Sequence, residues 1–306
     1  QLFFLGGVGL VGGGASGKSH YIAALISLLE RQDALAGVGC WSFSPADQSV
    51  QARYEEEYYA PLFRRHEVIP PTNPLPSTDV NRPLIYEIVI DRRSRLGRAR
   101  KGVHLVLFDG AGEQIADQRS AVIVNRYIQH ASALIMLVDP MNLPSVVESL
   151  PLELRPSDPP PPHEALHILN SIARTYRREW GMRPVDPIRI PLAVTVAKSD
   201  LFRYVPPYST GRQARFLRDS SYQQGYDLSE AHVVNQEVRD LLRSVAERGF
   251  FQAVRAFTNV SYHAVSATGE PPDPVTHRFS SVKPVRCLDP LVWIMWRLGL
   301  IHGRRA

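Results

Sequence analysis

The sequence predicts an α/β protein: a mostly parallel six-stranded sheet with one antiparallel edge strand, helices on both faces, and long insertions. Two observations predict it. Short buried-type apolar runs, such as ALIMLV at 133–138 and PLAVTVA at 191–197, alternate with helical patterns at 163–178 and 231–248. Strands alternating with helices imply a parallel sheet covered on both sides. In addition, the first apolar run, 2–11, passes through a glycine-rich loop directly into a helical pattern at 21–30.

In order, the run 2–11 reads as the first buried strand. It resembles a signal-peptide core but runs into the loop without a cleavage pattern. After the first helix comes a short apolar patch, 40–44, then an irregular section to about residue 82 with a helix across 47–62. Residues 84–90 read as a strand. The polar stretch DRRSRLGRARK, 91–101, reads as the turn into a second strand, 103–108, and the pair forms a hairpin. Helical spacing over 118–129, a strand at 133–138, a helix at 163–178 and a strand at 191–197 follow. A helix at 231–248, a strand at 260–265 and a helix at 288–298 complete the series. The run LVWIMWRLGLI, 291–301, is too short to span a bilayer and contains Arg297, so a docked amphipathic helix is expected, without a transmembrane segment. Residues 1–306 are expected to form one domain with insertions at about 45–82, 140–162 and 203–230. A chain that begins on a strand also reads as a piece of something longer.

Composition narrows the function classes. With 44% hydrophobic and 21% charged residues the chain can build a large core. Cys40 and Cys287 are too few for a disulfide framework and fit a reducing, cytoplasmic setting. The net charge of +5 favours anions, whether nucleotide, nucleic acid or anionic lipid, without choosing among them.

The chemistry lies in the loops at the carboxyl ends of the strands, where such sheets bind ligands. GGGASGKS, 12–19, has the spacing Gly-x4-Gly-Lys-Ser of a phosphate loop. Its glycines let successive N–H groups turn inward on phosphates, and the following helix presents its positive end. Lys18 then reaches the β- and γ-phosphates and Ser19 offers a hydroxyl to Mg²⁺. Gly12, Gly13, Gly14, Ala15, Ser16, Gly17, Lys18, Ser19 and His20 are therefore the expected phosphate-binding residues. After the strand 103–108 stands DGAGE, where Asp109 is placed to hold Mg²⁺ and Gly112 to present its N–H to a γ-phosphate. D-x-x-G is also a common string. AKSD, 197–200, follows the next strand but one: Asp200 can accept two hydrogen bonds from guanine, and the Lys198 stem can lie over the base. The alternative for Asp200 is a helix N-cap. SATG, 266–269, offers backbone amides behind the last strand.

GGGASGKS, DGAGE, AKSD and SATG follow the order and spacing of the motifs of Ras-like GTPases of the TRAFAC class, and most of the chain resembles them. The long insert before the second strand and the ending LDPLVWIMWRLGLI are similar to the bacterial double-GTPase family, often inferred to act in conflict or signalling systems. The resemblance implies a Ras-like three-layer sandwich that binds GTP or GDP with Mg²⁺. It implies Lys18 and Ser19 as phosphate and metal contacts, Asp109 as the second metal contact and Gly112 as γ-phosphate sensor. Lys198 and Asp200 would read guanine, with Ser266 and Ala267 behind them. It also implies a metal-binding Thr that closes on the γ-phosphate; Thr78 is the choice and Thr72 the fallback, both within IPPTNPLPSTDVNRP.

Two residues depart from the pattern. Glu113 stands where the water-orienting Gln is expected, with Gln114 one later. A carboxylate there faces the γ-phosphate unfavourably, so slow hydrolysis is predicted, rescued by a partner or an arginine such as Arg82. Ala197 replaces the Asn or Thr that begins the base motif.

Other features read as structural. The cluster Arg92, Arg93, Arg95, Arg98, Arg100 and Lys101 reads as a solvated basic turn rather than a nucleic-acid or lipid site, and SDPPPP, 157–162, as a stiff loop. His163, His167 and His263 lack metal-ligand spacing. Tyr54, Tyr58 and Tyr59 form either a partner-facing or a half-buried helix, and 203–230 reads as a mobile surface insertion. The expected function is a guanine-nucleotide switch that hydrolyses GTP slowly and signals to a protein effector or partner GTPase through the loops near Thr78 and 109–118. The rivals are a P-loop ATPase or kinase, and a nucleotide-locked scaffold with negligible turnover.

Overall fold

The structure, a computed structural model, describes residues 7–31, 33–70, 83–94, 97–107, 130–157 and 163–305. β1 (Val8–Gly12) leads into α1 (Lys18–Leu29). β2 (Cys40–Pro45) is followed by α2 (Gln48–Tyr54), which widens into a π-helix over Glu55–Arg64. Next come β3 (Leu84–Ser94), β4 (Gly97–Leu107), β5 (Ala133–Val138), α3 (Pro144–Ser149), α4 (Glu164–Glu179) and β6 (Leu192–Val196). The last elements are β7 (Tyr226–Asp227), α5 (Leu228–Val245), α6 (Arg248–Val254), β8 (Val260–Ala264), α7 (Asp289–Arg297) and β9 (Gly303–Arg304).

The α/β class and the parallel sheet with helices on both faces are as expected. Four parallel strands pair in the order β1-β5-β6-β8. β5 shows why parallel strands are needed here: Ala133, Ile135 and Leu137 enter one hydrophobic cluster, while Leu134, Met136 and Val138 enter the other. A strand buried on both faces must lie in the middle layer. One cluster packs α1 and α7 on the first face; the second packs α4, α5 and α6 on the opposite face. α7 is buried nearly all round, from Leu291 to Met295, as an internal helix with little polar surface must be. Among the described residues no helix is long and apolar enough to cross a membrane.

The strand grouping differs from one six-stranded sheet with a single antiparallel edge. β2, β3 and β4 form their own three-stranded antiparallel sheet. Side-chain packing brings β4 against β1: a Cβ on Gly7 would fall 2.5 Å from Val106 Cβ. The hairpin also runs further than polarity suggested. The stretch 91–101, expected as a turn, continues the ladder until Ser94 stands opposite Gly97. One face of this sheet is open, and a strand with one wet face tolerates charge at alternate positions; Asp91 stands opposite Arg100, a favourable cross-strand pair. The apolar patch 40–44 is the third strand, β2.

The section 203–230 is corrected from a mobile insertion to a packed one: Phe216, Tyr222 and Tyr226 are buried, and Tyr226 pairs with Gly303. Aromatic residues among Ser and Gln supplied the burial that composition concealed. Tyr54 and Tyr58 are likewise core residues. The π-helix carries Pro61, which lacks an N–H, and closes with Arg65 N–H donating to the Ala60 carbonyl. Thr72, Thr78, Arg82, Asp109, Gly112, Glu113, Gln114 and the expected helix 118–129 lie outside the described residues.

Candidate functional site

The parallel register sets the site. Gly12 is level with Leu137, Val138 with Val196, and Val196 with Ala264. The loops 13–17, 139–142, 197–200 and 265–269 therefore leave the sheet along one edge. Two strand spacings of roughly 4.8 Å separate β1 from β6, so the loops after them stand about 10 Å apart, the scale of a nucleoside.

Loop 13–17 turns because Ala15 and Gly17 take φ of 54° and 83°. Gly17 caps α1, and a side chain there would strain its left-handed backbone. Ser16, buried, donates from Oγ to the Gly13 carbonyl at 2.9 Å. Lys18 is buried too, and its Nζ donates to the carbonyls of Gly12 at 3.1 Å and Gly13 at 2.6 Å. Its ammonium thus stands at the loop's entry end. Ser19 follows in the first turn of α1.

His20, also expected at the phosphates, uses its ring elsewhere: Nε2 accepts the Ile69 N–H at 3.1 Å and the ring meets Phe279 edge-on at 6.1 Å. Burial lowers its pKa to about 4, with the Lys198 charge adding to the effect, so the ring is neutral and free to accept. It ties the segment preceding residues 71–82 to α1.

At the other end, Lys198 holds φ of 47° and Ser199 starts a 3-10 helix. Ala197 N–H donates to Val138 and Ser199 N–H to Val265, fastening this loop to both neighbouring strands. Asp200 is buried at 4% exposure, and its Oδ1 has no hydrogen-bond partner. Burial raises its carboxyl pKa, against the lowering effect of a Ser266 hydrogen bond. Asp200 is not an N-cap here: the cap position of this helix is Lys198, and it makes no side-chain cap bond. Ser266 Oγ accepts the Gly269 N–H at 2.7 Å, shaping the loop that contains Ala267.

Three residues that sequence reasoning did not single out complete the arrangement. Asp139, ending β5, is buried; its Oδ2 lies 2.7 Å from Lys198 Nζ and its Oδ1 accepts the Met141 N–H. Glu164, opening α4, accepts the Gly14 N–H on Oε1 at 2.9 Å. Asn142 donates to Glu164 Oε2 at 2.5 Å. An aspartate closing a buried strand was a signal available for Asp139, as it was for Asp109. Glu164 had none, because its contact spans 150 positions.

The site therefore joins a glycine-rich loop with a buried cation at one end to a buried carboxylate with one unpaired oxygen, Asp200 Oδ1, at the other. An unpaired buried acceptor asks for a ligand bearing N–H groups, and guanine has two on one edge. Ser19, in the first turn of α1, is the one residue expected to hold Mg²⁺ that falls among the described residues. Among the described residues no cluster of His, Cys, Asp and Glu is built to hold a metal by itself.

Residues 7–268 match the sequence model of the family described as Double-GTPase 2. A relative from Mycolicibacterium smegmatis described as "Putative ESX-1 scaffolding and assembly protein SaeC" is 27% identical over 309 residues, covering 96% of this chain and 75% of that protein. Among solved structures, Era in complex with MgGDPNP and a segment of 16S ribosomal RNA aligns at 11% identity and a TM-score of 0.34, over 100% of this chain and 59% of that one. Aquifex aeolicus Era bound to GDP and AlF4− aligns at 12% identity and a TM-score of 0.32, over 97% and 57%. The chain thus spans less than two thirds of both Era chains.

Proposed function

The chain belongs to the Double-GTPase 2 family, and from that premise we propose that residues 1–306 form one guanine-nucleotide switch domain that binds GTP and GDP and turns GTP over slowly. The observation that carries the guanine assignment is Asp200, buried with an unpaired Oδ1 beside the loop Ser266–Gly269. Guanine N1–H and its exocyclic amine would satisfy that carboxylate, whereas adenine offers an acceptor where N1–H would be and leaves the charge unpaired. Lys198, held by Asp139, flanks the base through its stem.

At the phosphate end the amides of 13–19 and the Lys18 ammonium neutralise phosphate charge. Ser19 would hold Mg²⁺ through its hydroxyl, together with Asp109 and Thr78, and the ion would supply positive charge against the charge that develops on the phosphates. In hydrolysis a water attacks the γ-phosphorus in line, the bond to the β-phosphate oxygen breaks, and GDP and phosphate leave. Glu113 and Gln114 are the residues proposed to orient that water. Binding and loss of the γ-phosphate would shift the loops near Thr78 and 109–118, which a protein partner reads.

A second reading is a nucleotide-locked scaffold. The relative named for scaffolding and assembly supports it, as does the charge of Glu113. Single-turnover hydrolysis of GTP separates the two readings: a measurable rate identifies a switch, and none a scaffold.

The first experiment is a calorimetric titration of GDP, a GTP analogue, ADP and an ATP analogue, with Mg²⁺, on the wild type, Lys18→Ala and Asp200→Ala. Loss of all nucleotide affinity in Lys18→Ala and of guanine preference in Asp200→Ala is the expected result. Adenine binding equal to guanine binding in the wild type overturns the role of Asp200 and moves the chain to the P-loop ATPases.

A further inference from the structure

Glu164 lies against the phosphate loop itself. Oε1 accepts the Gly14 amide, Asn142 holds Oε2, and a Cβ on Gly13 would fall 1.7 Å from Oε2, so only glycine permits the approach. The Lys18 ammonium marks which phosphate this concerns. Lysine in such a loop contacts the β- and γ-phosphates, and here its Nζ rests on the Gly12 and Gly13 carbonyls. The terminal phosphate therefore belongs at the Gly13–Gly14 end, where the Glu164 carboxylate has already taken an amide.

A carboxylate and a γ-phosphate are like charges competing for one donor, whereas a diphosphate ends short of that donor. We propose that Glu164 is a specificity-determining residue that weighs triphosphate against diphosphate: its side chain holds the Gly14 amide and must yield it when a γ-phosphate arrives. The inference rests on the nucleotide-binding reading above and assigns that site a regulatory residue. Glu164 opens α4, and Asn142 lies on the same turn as Asp139, which holds Lys198 beside the base. Displacing Glu164 thus alters contacts to α4 and to the turn behind the base loop, giving the γ-phosphate a route to those two elements.

The test is calorimetric titration of GDP and a non-hydrolysable GTP analogue, with Mg²⁺, on the wild type, Glu164→Gln, Glu164→Ala and Asn142→Ala. Glutamine keeps the size and an acceptor for the Gly14 amide without the charge, and circular dichroism verifies the fold of each variant. In Glu164→Gln and Glu164→Ala, affinity for the GTP analogue rises about tenfold while that for GDP stays within about threefold. Asn142→Ala, which frees the carboxylate to leave, moves the ratio in the same direction. An equal shift for both nucleotides, or a fall in triphosphate affinity, overturns the proposal. If the wild type binds both nucleotides and the variants leave the triphosphate-to-diphosphate ratio unchanged, only the role of Glu164 fails. If neither the wild type nor any variant binds either nucleotide, the nucleotide reading fails and this one with it; if only the variants lose both nucleotides, the role of Glu164 alone fails.

Discussion

Lys198 Nζ lies 2.7 Å from Asp139 Oδ2, and the two side chains differ in exposure, at 35% and 3%. A buried carboxylate thus fixes a partly exposed lysine beside the proposed base site. Because Asp139 also caps the turn at Met141, Asp139→Ala removes an ion-pair partner and a cap together. The expected cost is about 2 kcal/mol in denaturant unfolding. Guanine-nucleotide affinity should fall roughly tenfold as Lys198 loses its position, while Asp139→Asn, which keeps an acceptor for Met141, recovers the stability but not the affinity.

Asp200→Asn should give up guanine specificity and gain stability. Burial raises the pKa of Asp200 above the ordinary aspartate range, so the folded chain holds more protons than the unfolded chain as pH passes through that range. Stability contributed at this site is present at low pH and lost as pH rises through the raised value. The Asn variant should therefore melt higher than the wild type at pH 7 without nucleotide, and the gap should close toward pH 4. The same variant should lose GDP and gain xanthosine diphosphate, whose C2 carbonyl meets the Asn amide donor. An unchanged melting difference across pH would refute the burial argument, and retained GDP preference the base assignment.

His263 carries the opposite sign. It is fully buried, tilted on Trp293 at 5.8 Å, and its Nε2 lacks a partner. Burial lowers its pKa to about 4 from 6.5, outweighing the favourable charge of Asp289. The unfolded chain then binds the extra proton, so stability is complete above pH 6.5 and is lost as pH falls toward 4, by up to about 3 kcal/mol. His20 adds a second loss over the same window. His263→Phe should flatten the acid limb of a stability-versus-pH curve measured by urea unfolding and leave the His20 portion.

Arg286 is a structural cation. It is 2% exposed, paired through Nη1 with Asp289 and through Nη2 with Glu230, and its Nε donates to the Arg215 carbonyl. It ties the packed section 203–230 to α7. Arg286→Ala leaves Asp289 without a cation, held only by the Ser220 and Tyr222 hydroxyls, while Glu230 keeps Arg215; it should cost about 3 kcal/mol, and combining it with Asp289→Asn should recover a large part of that. A double-mutant cycle on these positions reads the coupling directly.

The sequence by itself determined the parallel strands, the helices between them and the loops that carry GGGASGKS, AKSD and SATG. Each is a local matter: an apolar run bounded by turn residues, a 3.6-residue spacing, or glycines that permit a left-handed backbone. Strand bounds at 133–138, 192–196 and 260–264 follow the apolar runs closely. Tertiary structure decided what depends on partners far along the chain. The separate sheet of β2, β3 and β4 follows from which strand ends meet across Gly7 and Val106. The burial of Phe216, Tyr222 and Tyr226 follows from packing that their polar neighbours gave no sign of. Glu164 reaches Gly14 across 150 residues and Lys198 reaches Asp139 across 59. Side-chain contacts at such separations leave no periodicity in the sequence, because only the closed fold brings the two partners to one edge of the sheet.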